Sequence, residues 1–408
     1  MKGLCPRVMK GFFRKFKDVK ARDILHIFLF ILALPIGLAY KLKRRNLWLF
    51  SDNGREGSDN GFVLFKYVCE NHPGEDAVYA ICKDSIDYDK VNAVGKTVRY
   101  GSFMHWILYI TARVNISSQK GGKPNYAVCN LLEVHLGMFK NRVFLQHGVI
   151  LTDIKFLYKE NAKFSLFVTS TKDEWEYVSK NYGYTNGEVK LLGLPRFDLL
   201  HCAQTTPNKI LIMPTWREWL GTDSLSKNHA KDIEGFKNTK YFKNWNSLLN
   251  SAELQAVCEK YGLKVLFYLH RDAQRFSGCF CSDNPYLTVC KYPEYTADEL
   301  LKSSACLITD FSSVQADFAY MKKPLCYFHF DYDEYTEKHY GKGYFDYQRD
   351  GFGPVFSDTD QIVKYIASKA ENGFKNCEPY ISRHKKFFTL YDRDNCKRNY
   401  EAIKEKWS

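Results

Sequence analysis

The sequence predicts an α/β protein of two successive doubly wound units, with a basic, apolar leader before them and helices after them. Three observations carry this. Short apolar runs alternate with stretches of helical periodicity, the pattern of a parallel sheet with helices on both faces. The pattern stops at Thr205-Thr206-Pro207-Asn208 and restarts at Lys209. The 408 residues, 45% hydrophobic and 26% charged, suit two medium domains that each bury a core. That composition excludes a collagen-like, a disordered or a polytopic membrane chain. The expected divisions are 1–45 for the leader, 46–204 and 205–375 for the two units, and 376–408 for the terminal helices.

The elements follow in order. Leu47 to Phe50 reads as a buried strand and runs into a Gly/Asp/Asn-rich turn, Ser51 to Gly61. A helical pattern follows around Phe62, Phe65, Tyr67 and Val68. Strands are expected at Ala77 to Cys82, Val114 to Ile116, Val143 to Leu145, Phe164 to Thr169 and Lys190 to Leu192. In the second unit they are expected at Lys209 to Met213, Lys264 to Leu269, Leu307 to Thr309 and Pro324 to Phe330. Helices are expected at Leu248 to Tyr261, Thr359 to Glu371 and within Tyr380 to Trp407.

The net charge is +13, from 59 Lys and Arg against 46 Asp and Glu. Such an excess favours phosphorylated substrates, acidic lipid or nucleic acid. Its position decides among them. Residues 1–45 hold twelve Lys and Arg against Asp18 and Asp23, a net +10. The body is close to neutral, which argues against nucleic acid and for an anionic membrane surface. Ile24 to Tyr40 has no charged residue and would span about 26 Å as a helix. A hydrocarbon core needs roughly 30 Å, and Pro35 and Gly37 weaken the end of such a helix. A surface-lying or re-entrant anchor is expected. A short span, a secretory signal peptide and a buried hairpin helix are the other readings. The 13 Cys are scattered without a CxxC, as for free thiols in a reducing cytosol.

Candidate chemistry gathers at the carboxyl ends of strands, where open parallel sheets bind ligands. Leu307 to Tyr320 (LITDFSSVQADFAY) reads as strand, turn and helix, with Asp310 at the strand end. Ser312 and Gln315 have capping-box spacing, and Ser313 opens the helix. A helix start with two hydroxyls suits an anion; an ordinary capped helix fits the same residues. Gln146-His147-Gly148 places a His with a Gly beside it for close approach: a general base, or a satisfied structural His. Arg196, Arg217, His270 and Arg271 follow other strands in the same way. Together these suit a pyrophosphate ligand. Asp331-Tyr332-Asp333 imitates a DxD metal site, but Asp87-Tyr88-Asp89 and Asp358-Thr359-Asp360 match equally, so the pattern is cheap here.

Taken in order, the blocks Gln146-His147-Gly148, Gly193 to Asp198, Pro214 to Arg217, His270 and Thr309 to Ser313 resemble the CDP-glycerol glycerophosphotransferase family. Lys323 to Tyr335, Tyr340 to Asp346 and Gly351 to Pro354 extend the likeness. Val149-Ile150 stand where Thr-Pro is common in the family, Arg271 where Pro is frequent, and Phe311 where Tyr is common. The resemblance implies a GT-B-like fold: two Rossmann-like domains facing a cleft, acceptor domain first and donor domain second, with terminal helices crossing back onto the first. It implies transfer of a polyol phosphate, glycerol phosphate foremost, from a CDP-polyol to a lipid-linked glycan or polyol-phosphate acceptor, with CMP released. The setting would be teichoic acid or capsule synthesis at the cytoplasmic face of the membrane. His147 would be the base. Arg217, His270, Asp310, Ser312 and Ser313 would hold the pyrophosphate, with support from Arg196, Arg271 and Asp317. No cofactor is required of these residues, and a divalent metal on the diphosphate is compatible with them. A GT-B glycosyltransferase using a nucleotide sugar and a non-catalytic membrane scaffold are the alternatives.

Overall fold

Two parallel sheets form in this chain, and each repeats the same strand order. In the computed structural model, which describes residues 20–220, 229–338 and 341–407, the first sheet has seven strands. They are β1 (Trp48–Phe50), β2 (Ala77–Ile81), β3 (Thr97–Arg99), β4 (Val114–Ser117), β5 (Arg142–Phe144), β6 (Leu166–Thr169) and β7 (Val189–Leu191), in the order β3-β2-β1-β4-β5-β6-β7. The second has β8 (Lys209–Ile212), β9 (Lys264–Tyr268), β10 (Leu287–Cys290), β11 (Cys306–Thr309), β12 (Leu325–Phe328) and β13 (Val355–Phe356), in the order β10-β9-β8-β11-β12-β13. The strand order reverses at β1/β4 in one lobe and at β8/β11 in the other. Those two points are where such sheets open a ligand crevice. The basic leader from Met1 to Val19, and Tyr340, lie outside the described residues.

The central strands are buried on both faces and read as continuous apolar runs. The edge strands β3, β10 and β13 had no such run to reveal them. The helix expected over Leu248 to Tyr261 is two, Lys240–Leu249 and Ala252–Tyr261. They are separated at Asn250-Ser251, where the Ser251 hydroxyl caps the second by accepting from Leu254 N.

Helix α1 (Ala21–Lys43) continues through Pro35 rather than weakening there. It buries one stripe, His26, Phe30, Ala33 and Gly37, against α2 (Phe103–Thr111). At Gly37 an added Cβ would stand 2.7 Å from Ile110 Cβ, so the glycine is what lets the two helices touch. Trp106 Nε1 donates to His26 Nδ1 at 3.0 Å and fixes the register. The opposite face, including Leu25, Phe28, Ile31 and Leu32, is exposed.

Two helices close the chain. The first, α3 (Tyr380–Phe387), was expected on the first lobe; instead its Phe387 packs on Phe345 and Phe352 of the second lobe. The second, α4 (Asn395–Trp407), places Cys396 and Ile403 in the first-lobe core. Asp198 anchors it, accepting from Asn395 N (2.9 Å), Asn395 Nδ2 (2.6 Å) and Cys396 N (2.8 Å). Asp198→Ala removes these acceptors from a helix start. It is expected to cost about 1–2 kcal/mol in urea unfolding and to speed amide exchange across 395–407; unchanged exchange there would refute the anchoring role.

Candidate active site

The first-lobe crevice is built around two buried carboxylates. Asp52 follows β1, and Asp59 caps α5 (Asn60–Asn71). The Ser118 hydroxyl, just after β4, bridges them at 2.6 Å from Asp52 Oδ1 and 2.7 Å from Asp59 Oδ2. Ser118 N and Tyr79 OH also donate to Asp52, each at 2.8 Å. Burial, and then the Asp59 charge, push Asp52 up to about 6, against these hydrogen bonds. Burial would raise Asp59 too, but the charges of His147 and Arg196 outweigh it and hold Asp59 well below the carboxylate range.

His147 stands on the turn after β5. Gln146 before it takes a left-handed φ of 67°, held by Asn60 Nδ2 donating to Gln146 O at 2.8 Å. The imidazole Nδ1 lies 2.6 Å from Asp59 Oδ2, yet 65% of the side chain remains exposed. So one ring nitrogen is fixed while most of the ring stays accessible. The Asp59 charge raises the His147 pKa above its usual value, against desolvation. Beyond it, Ile150 N donates to buried Glu174 at 2.6 Å, which pins the following loop. Burial raises Glu174 to about 7 even against such donors.

The second lobe meets this loop directly. A Cβ added to Gly148 would stand 2.9 Å from Ser313 Oγ. Ser312 and Ser313 lead into α6 (Val314–Tyr320), and both are partly exposed to the cleft. The capping box expected there does not form. Ser313 is the N-cap without a side-chain cap, and the Gln315 amide is turned inward, accepting from Tyr327 OH at 2.6 Å. Ser313 Oγ makes no cap bond, and Ser312 Oγ accepts only a long one from Val314 N at 3.5 Å.

Two pairs bridge the lobes. Arg196 donates through Nε and Nη2 to both oxygens of Asp317 on α6 (2.7 and 2.8 Å), and through Nη1 to Asp59 (3.1 Å) and the His147 carbonyl. Arg271 pairs with Glu56 of the Gly-rich turn and lies 5.1 Å from the Tyr292 ring centroid. His270 is exposed beside it at the end of β9.

Two expected pyrophosphate ligands are placed differently. Arg217 is fully buried, chelated by Asp331 at 2.8 and 2.9 Å and paired with Asp310 at 2.8 Å, and it packs on Phe311 and Tyr335. Asp310 is also fully buried and accepts from Thr215 N (2.8 Å) and Phe311 N (2.7 Å). Neither side chain is offered to a ligand; they shape the crevice between β8 and β11 that presents Ser312. Asp331, the first Asp of the DxD decoy, is consumed by Arg217. Among the described residues no three His, Cys, Asp or Glu groups converge to hold a metal. Sequence reasoning missed Asp52, Asp59, Ser118 and Glu56. The one available signal for Asp59 was its place just before a helix, at an N-cap position.

The family model described as CDP-Glycerol:Poly(glycerophosphate) glycerophosphotransferase matches residues 32–405. The minor teichoic acid biosynthesis protein GgaB of Bacillus subtilis (strain 168) is 32% identical over 396 residues, 95% of this chain but 42% of that protein. The teichoic acid poly(glycerol phosphate) polymerase of Bacillus spizizenii (strain ATCC 23059 / NRRL B-14472 / W23) is 24% identical, over 95% of this chain and 98% of its own length. The chain thus spans less than half of the first relative and nearly all of the second. The solved structure of the wall teichoic acid polymerase TagF has the same GT-B-like fold, with a TM-score of 0.65 at 16% identity, covering 95% of this chain and 97% of that one.

Two outcomes follow from the geometry. Arg217→Ala strands two buried carboxylates and is expected to cost about 3–5 kcal/mol in chemical denaturation; a direct pyrophosphate ligand would leave stability nearly unchanged. In NMR titration the His147 imidazole is expected to titrate above 6.5. In Asp59→Asn it should titrate lower, since the charge that favours the imidazolium is gone. An unmoved titration would refute the pairing.

Proposed function

The chain belongs to the CDP-glycerol:poly(glycerophosphate) glycerophosphotransferase family, and on that premise we propose that it transfers glycerol phosphate from CDP-glycerol to a hydroxyl of a teichoic acid acceptor. The observation that carries this reading is the contact of Gly148 with Ser313. It brings the His147 turn of one lobe against the Ser312–Ser313 turn of the other, as a transfer between two substrates requires.

The chemistry follows from the side chains. Asp59 holds the His147 ring through Nδ1, which leaves Nε2 to take the acceptor proton. The acceptor oxygen attacks the phosphorus that bears glycerol. A P–O bond forms to the acceptor, the P–O bond to the CMP phosphate breaks, and CMP departs with the electron pair. Charge grows on that phosphate, where Ser312, Ser313, His270 and Arg271 are placed to receive it. Arg217, Asp310 and Asp331 act beneath them by positioning the turn. Arg196 and Asp317 keep the two walls together. No resident cofactor is part of this reading, and a divalent ion accompanying the diphosphate would add to the charge that receives the leaving phosphate.

The acceptor is read as lipid-linked and the protein as lying on an anionic membrane at its cytoplasmic face. The support is α1, long and apolar enough to cross a membrane by length and composition. Because one stripe of α1 is docked along α2, the helix is read as lying in the interface and not as crossing it.

His147→Ala is expected to abolish transfer while CDP-glycerol still binds, as checked by product mass spectrometry and calorimetry. The nucleotide product from the unmodified protein should be CMP; release of CDP would mean glycosyl transfer and would overturn the reading. Activity should rise with pH as His147 loses its proton. In Asp59→Asn that limb should move to lower pH, with a kcat loss of about 10²–10⁴-fold.

A further inference from the structure

On the first lobe, cations gather around one buried carboxylate. Lys123 and Arg142 both donate to Glu133 Oε2, and Tyr109 donates to Oε1. All four side chains are buried. Two buried cations on one carboxylate leave an uncompensated positive charge in a poorly polarisable setting, which is costly unless an anion comes near. Lys120, half-buried, adds a third cation above them. Its ammonium lies 5.8 Å from the ring centroids of both Tyr126 and Phe156 and donates to Phe156 O at 3.0 Å. Burial and then the Arg142 charge lower its pKa, against the Glu133 carboxylate that it shares with Lys123 and Arg142. Tyr126 and Phe156 are largely exposed, so the bracket opens to solvent.

The loop that carries Lys120 is rigidly seated. A Cβ on Gly122 would stand 1.9 Å from Ser51 O, and Tyr100 OH donates to Gly121 O at 2.9 Å. The loop also meets the apolar helix and the chain that follows His147. Asn125 donates to Asp23 of α1 at 2.9 Å, and Phe156 lies on the stretch of chain that continues from His147-Gly148. By contrast, two lysines of the open cavity of about 900 Å³ at the amino ends of β5 to β7 are occupied. Lys159 pairs with Glu188 at 2.6 Å, and Lys163 donates to Val134 O.

We infer that Lys120, bracketed by Tyr126 and Phe156 and backed by the Lys123–Glu133–Arg142 cluster, is a subsite for a phosphate of the acceptor. It deepens the reading above and rests on it for the word acceptor. A phosphate there would take an ammonium hydrogen bond and lie against aromatic edges, between the membrane helix and His147.

The test uses the full chain with Lys120→Ala, Lys120→Arg and Tyr126→Ala. The probes are a soluble oligo(glycerol phosphate), CDP-glycerol, and vesicles of phosphatidylglycerol or phosphatidylcholine. Lys120→Ala should raise the KM for the oligomer about tenfold and leave the KM for CDP-glycerol unchanged. Lys120→Arg should keep most of the oligomer affinity, and Tyr126→Ala should weaken it in the same sense as Lys120→Ala. An unchanged oligomer KM in Lys120→Ala overturns the subsite. So does a loss confined to phosphatidylglycerol vesicle binding, which would make the phosphate a membrane headgroup. Calorimetry with the oligomer alone separates the two readings. Weaker binding in Lys120→Ala, in a protein that turns over no CDP-glycerol, would keep the subsite and sink only the activity.

Discussion

Arg196 lies between carboxylates from the two lobes, Asp59 on one side and Asp317 on the other, with 15% of its side chain exposed. Desolvating a guanidinium is unfavourable by several kcal/mol, and the loss is offset only while both carboxylates stay in place. Sliding one lobe past the other by an ångström would break the two-pronged contact with Asp317. The same residue donates to the His147 carbonyl, and its backbone N–H donates to Asn60 Oδ1 at 2.9 Å. Lobe closure and the placement of the His147 ring are therefore a single geometric condition.

That condition depends on Asp59 remaining charged. Two carboxylates bridged by one serine hydroxyl repel each other, and their surroundings divide the charge unequally. Asp52 has neutral donors only, Ser118 and Tyr79, and rises to about 6. Asp59 has two cationic partners and stays ionised. Environments that drive neighbouring groups apart in this way assign their roles. Asp52 stiffens the crevice through Ser118, and Asp59 orients the imidazole and favours its protonated form.

Much of the fold was legible because the central strands are buried on both faces, as at Lys209 to Met213 and Leu307 to Thr309. The missed strands, β3, β10 and β13, are short edges with half-exposed residues and no continuous apolar run. In the site, His147 and the two serines were legible because they end strands beside residues that permit close approach. Asp59 and Glu56 were not, since they reach His147 and Arg271 only through folding. Arg217 and Asp310 were read as ligands because a cation or an anion at a strand end looks the same in sequence whether it faces outward or pairs inward. Asp331, more than a hundred residues from Arg217 in the chain, decides which it is.

The docking of α1 constrains how the cleft meets a membrane. Each large aliphatic or aromatic side chain moved from water to hydrocarbon contributes roughly 1.5–3 kcal/mol. Leu25, Phe28, Ile31 and Leu32 alone therefore make bulk water a poor surrounding for the outer face of α1. The inner stripe cannot also face lipid, because Gly37 is in contact with Ile110 and His26 is bonded to Trp106. A helix pinned along one side and apolar on the other fixes the first lobe's orientation to an interface. At its amino-terminal end Asp23 is tied to the loop of Lys120, at the carboxyl-end edge of the sheet where His147 also lies. On the proposed reading, an acceptor held at such an interface would approach His147 along the lobe surface.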